Sequence, residues 1–96
     1  MDDRIEAFVR DALNLEGQNS NVVREGVRRH LAQYEKLVRD SEPDKRKKDA
    51  VAQRCRKLCN DRVLKEIQLR TAPSTVEHLQ IVLGVITQPG AFQIDR

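Results

Sequence analysis

Aromatic side chains are scarce in this chain of 96 residues, which holds no tryptophan, one tyrosine and two phenylalanines. A core must therefore be built mainly from aliphatic side chains, and binding of single-stranded nucleic acid by base stacking is disfavoured. Only four glycines and three prolines occur, which is few for a turn-rich β fold. No apolar run approaches the roughly 20 residues that a membrane-spanning helix needs. Acidic Asp2 and Asp3 stand where a signal peptide carries positive charge, so we expect a cytoplasmic protein with no membrane partner.

The sequence also lacks the residue patterns that enzymes and metal sites require. There is no glycine-rich phosphate loop and no nucleophile motif. Cys55 and Cys59 lie four positions apart, a spacing that gives poor disulfide geometry on a helix, so we expect free thiols. Together with His30 and His78 they match no zinc-binding spacing. We therefore predict a protein that is not an enzyme and that uses no cofactor or metal.

Hydrophobic periodicity predicts four helices, with breaks near Gly17, Pro43 and Pro73. Their expected ranges are 3–15, 21–40, 44–70 and 74–87. In the third helix the apolar face rotates along its length, which leaves open whether that helix is continuous or bent near Asn60. The predicted fold is all-α, a small bundle in which the second and third helices form a long antiparallel hairpin. Residues 1–90 are expected to form one helical domain and residues 91–96 a C-terminal tail.

The net charge of +3 conceals an uneven distribution along the chain. Residues 24–70 carry fifteen basic and eight acidic side chains, a net charge of +7, and both ends of the chain are mildly acidic. Arginines early in a helix can enter a major groove, whereas runs of like charge are often merely solvated. The candidate contacts for nucleic acid or an acidic partner are Arg24, Arg28, Arg29, Lys45, Arg46, Lys47 and Lys48.

The fourth predicted helix is apolar on two sides. Its main face is expected to join the core, while Ile81 and Val85 point roughly the opposite way. Such a helix needs either a central position in the fold or cover from a partner chain. Gly84 weakens the helix, which suggests that another element packs close to it. We therefore predict a homodimer in which Ile81 and Val85 meet their own copies across a two-fold axis.

Two functions remain open at this stage. The favoured one is protein–protein interaction, as a self-associating regulatory or accessory subunit that binds another protein. The alternative is a DNA-binding accessory protein or transcriptional regulator that uses the basic segment 24–70. Salt dependence of nucleic-acid binding would distinguish them, because phosphate contacts weaken steeply with salt.

Overall fold

The computed structural model describes residues 3–87, which form four α-helices and no strand. The helices are α1 (Asp3–Leu13), α2 (Ser20–Ser41), α3 (Lys48–Leu69) and α4 (Pro73–Thr87). The predicted all-α bundle is therefore confirmed. None of the described helices is long and apolar enough to cross a membrane. The expected tail at residues 91–96 lies outside the described residues.

Local signals in the sequence set the helix ends. Gly17 has a φ of +92°, a left-handed conformation that glycine adopts without strain, and it lies in the turn between α1 and α2. The Asn19 side chain caps α2 by accepting a hydrogen bond of 2.8 Å from the Asn21 amide. Pro73 begins α4, where the proline ring suits the first turn because no intrahelical partner is needed there.

Helices α2 and α3 form the expected hairpin. They are joined by a short connection that contains one 3-10 turn, Lys45–Lys47. Helix α3 is continuous through Asn60, which resolves the question left open by its rotating apolar face. Helix α3 packs against all three other helices, so its apolar side chains need not lie on one face. Near its start Asp49 pairs with Arg39 of α2, and farther along Arg62 pairs with Glu6 of α1.

Helix α4 returns antiparallel to α3 and packs against both α2 and α3. Its end is held by Arg56 of α3, whose Nε donates to the Ile86 carbonyl at 2.7 Å. Helix α1 also contacts all three other helices. The core between the helices is aliphatic, as the scarcity of aromatic residues predicts, and its largest fully buried side chains are Leu31, Leu79, Ile86, Val23, Val27, Val63 and Val82.

Candidate interaction surfaces

The structure corrects the expected role of Val85. This side chain is only 2% exposed and belongs to the core, because α4 packs against the three other helices. Ile81 is partly buried and packs against the same core. The expectation that the two side chains form an exposed apolar patch is therefore wrong. Helical spacing gives the angle between two side chains but does not say which neighbouring helices cover each angle.

A groove nevertheless lies where the predicted interface was placed, between the first turns of α2 and the exposed side of α4. We call it the α2/α4 groove. It has a volume of about 570 Å³. Ile81 and Val85 contribute its apolar surface, and a Cβ built on Gly84 would meet no atom within 4 Å. Gly84 thus faces open space within the described part of the chain. The expectation that something packs close to it stays a prediction about a partner chain. The groove is lined by Arg24, Glu77, Gln80, Ile81, Gly84 and Val85.

Two opposite charges stand on the two walls of this groove. Arg24 comes from α2 and Glu77 from α4, and both residues are exposed. Neither side chain forms a hydrogen bond or ion pair within residues 3–87, with each other or with any other group. The groove therefore offers one free cation and one free anion beside an apolar floor.

The predicted basic contacts fall into two separate places. Arg24, Arg28 and Arg29 lie in the first turns of α2, and Arg28 is paired with Glu25 at 3.2 Å. The basic run Lys45–Lys48 follows the other end of α2. From Arg28 to the end of α2 at Ser41 the helix rises by roughly 20 Å. The segment 24–70 is thus not one continuous basic surface.

Within the basic run, Lys48 has a structural role that the sequence did not reveal. Its ammonium donates to the carbonyl oxygens of Arg39 and Glu42, the latter at 2.7 Å, and so places a positive charge at the end of α2, where the helix dipole favours it. Arg46 lies 3.6 Å from Asp44. Lys45 and Lys47 are exposed, and their ammonium groups have no partner within the described part of the chain.

The two histidines contact α1, and the two cysteines are packed in the core. The His78 Nε2 lies 2.7 Å from the Ala12 carbonyl oxygen, near the end of α1. His30 lies 3.8 Å from Asp11 on α1. Cys55 and Cys59 are buried and are not joined by a disulfide, as their spacing predicts. Across residues 3–87 no group of three or more histidine, cysteine, aspartate or glutamate side chains is arranged to hold a metal ion.

Two buried glutamates were not anticipated. Glu66 accepts hydrogen bonds of 2.7 Å from both Arg62 and Arg70, and Arg62 also donates to Glu6 of α1 at 2.8 Å. Glu35 is bonded to Arg39 at 3.3 and 3.4 Å. The pairs within single helices join residues four positions apart, which lie on the same face of a helix. The link to Glu6, fifty-six positions away, had no signal in the sequence.

Comparison of the chain with models of known protein families, with curated proteins and with solved structures finds no match.

Proposed function

We propose that this protein acts through protein–protein interaction, as a self-associating regulatory or accessory subunit. The observation that carries the proposal is the α2/α4 groove, in which a partly exposed aliphatic surface lies between polar and charged walls. Interfaces commonly have this composition, with an apolar centre and a polar rim. Gly84 adds a gap in the side-chain surface of α4, through which a partner can approach the helix backbone closely.

A second candidate, contact with nucleic acid, is favoured by the exposed and unpaired Lys45 and Lys47. It is the weaker candidate because Lys48, Arg46 and Arg28 are engaged within the chain. A gel-shift titration over a range of salt concentrations tests it. Phosphate contacts predict binding that falls steeply as salt rises.

Sedimentation equilibrium of the wild-type protein over a wide concentration range tests the favoured function. We expect association, and we expect Ile81→Glu to weaken it by placing a charge in the apolar centre of the groove. Leu64→Glu is the matched control, because Leu64 is 41% exposed on α3 and lies outside the groove. Val85→Glu is unsuitable, since a charge at that buried position would unfold the chain. A wild-type protein that stays monomeric at high concentration would contradict self-association.

A further inference from the structure

The charge arrangement in the α2/α4 groove restricts the kind of partner that fits it. Arg24 and Glu77 leave the groove with no net charge, one sign on each wall. A strongly acidic partner would meet repulsion at Glu77, and a strongly basic one would meet repulsion at Arg24. The best match is a surface that itself carries one charge of each sign on either side of an apolar centre. A second copy of this chain has such a surface.

Two-fold symmetry brings the opposite charges together. In a symmetric dimer the same patch serves both chains, so a residue at one position contacts whatever lies across the axis in the other copy. With the axis passing between Arg24 and Glu77, each arginine faces the glutamate of the other chain, and the pair forms twice. Gly84, with no side chain and open space above it, leaves room for α2 of the other copy to approach α4 closely.

We propose that two copies of this protein associate through the α2/α4 groove, with Arg24 of each copy paired with Glu77 of the other. The inference rests on the proposed self-association and specifies its surface and symmetry. It differs from the interface predicted from sequence, since Val85 contributes only to the buried floor. The charges select the orientation, and the apolar surface at Ile81 supplies most of the attraction.

Charge reversal tests the reciprocal pairing. Arg24→Glu and Glu77→Arg each replace two attractions with two repulsions, which should weaken association by about 30-fold. An equimolar mixture of these two variants should form a heterodimer, because its chains face each other with opposite charges at both sites. The double variant, Arg24→Glu with Glu77→Arg, should associate as the wild type does. Arg29→Glu is the control, on an exposed residue of the same helix that does not line the groove.

Sedimentation equilibrium and circular dichroism read out all of these proteins. Restored association in the mixture would also show that both single variants are folded. An intramolecular Arg24–Glu77 interaction cannot produce that result. Single variants that associate as tightly as the wild type would overturn the groove pairing while leaving self-association standing. A mixture that stays monomeric would overturn it as well. A monomeric wild type would remove both this inference and the function on which it rests.

Discussion

The molecule contains two buried glutamates whose surroundings differ. Glu66 lies near the end of α3, and Glu35 lies on α2, where its partner Arg39 also contacts the first turn of α3. Glu66 is 6% exposed and Glu35 is 4% exposed, so both carboxylates have lost nearly all contact with water. Glu66 receives 2.7 Å hydrogen bonds from two arginines. Glu35 receives only the longer bonds from Arg39, at 3.3 and 3.4 Å. The two side chains are about equally buried, but Glu66 receives shorter hydrogen bonds, and from more arginines, than Glu35 does.

The pKa values of the two carboxyl groups move in opposite directions. Hydrogen bonding from Arg62 lowers the pKa of Glu66, in spite of the opposing effect of burial. At Glu35 burial is the larger effect and raises the pKa, although the charge of Arg39 acts against it. The balance between burial and charged hydrogen bonds therefore sets the direction of each pKa shift.

The arginines differ because their other partners differ. Arg62 is held on its far side by Glu6 of α1 through two bonds, so it is fixed in place for Glu66. The hydrogen bonds that Arg62 donates to Glu6 and Glu66 raise the pKa of Arg62. Arg39 is shared with Asp49, whose side chain is 85% exposed. That competing bond, at 2.9 Å, is shorter than those to Glu35.

The largest effect is expected from Arg62→Met. This change keeps the apolar stem but removes one bond to buried Glu66 and the two bonds to Glu6 of α1, and should cost about 2–3 kcal/mol in the free energy of unfolding. The matched change, Arg39→Met, should cost about 1 kcal/mol, because Glu35 is already poorly compensated. Urea unfolding followed by circular dichroism measures both. Equal losses of unfolding free energy in the two variants would show that Arg62 and Arg39 stabilise the fold equally.

Neutral replacement of the glutamates themselves should give the next largest difference. Glu66→Gln removes a charge that two arginines bind closely and should destabilise the fold by about 1–2 kcal/mol. Glu35→Gln removes a charge that burial penalises and should change stability by less than about 0.5 kcal/mol. The same unfolding measurement applies. A larger loss of unfolding free energy in Glu35→Gln than in Glu66→Gln would contradict this expectation.

The sequence predicted most of the fold because the signals for its helices are local. Periodicity and breaks at Gly17, Pro43 and Pro73 gave four helices with ends close to those observed. A glycine, by contrast, says nothing of its neighbours until the fold is known. Gly84 was expected to mark a close contact and has none within the described chain. Gly26 has one, since a Cβ there would lie 2.8 Å from a Leu15 methyl group.

The sequence predicted where the α2/α4 groove lies but not which side chains are exposed in it, because exposure depends on how the helices pack. Spacing placed Ile81 and Val85 on one side of α4 but could not show that Val85 is buried in the core. The groove charges were missed because Arg24 and Glu77 lie fifty-three positions apart. Arg24 had been grouped with its neighbours in sequence as a nucleic-acid contact. Which charges meet across helices depends on tertiary packing, so the pairing of Arg62 with Glu6 was equally invisible.

A smaller effect is expected at Lys48, in the hairpin end that also holds Glu35. Lys48→Met leaves the carbonyl oxygens of Arg39 and Glu42 without their charged donor and should cost about 1 kcal/mol. Lys47→Met is the control on the adjacent exposed residue and should change stability by less than about 0.5 kcal/mol. Thermal unfolding of the two variants provides the measurement. Matching melting temperatures would show that Lys48 is merely solvated.

The smallest expected effect is on the pH dependence of stability, which tests the difference between Glu35 and Glu66 directly. Because the folded-state pKa of Glu35 is raised above 4.5, the folded chain takes up this proton first as pH falls. Glu35 therefore adds stability on acidification from pH 7 toward 4.5, and the wild type should gain stability relative to Glu35→Gln over that window.

The pKa of Glu66 is lowered, so its contribution is complete above pH 4.5 and disappears as pH falls through its folded-state pKa. The wild type should consequently lose its advantage over Glu66→Gln only below pH 4.5. Urea unfolding at a series of pH values gives both differences, and the two curves should have opposite slopes. Parallel curves would show that the two carboxylates are compensated alike.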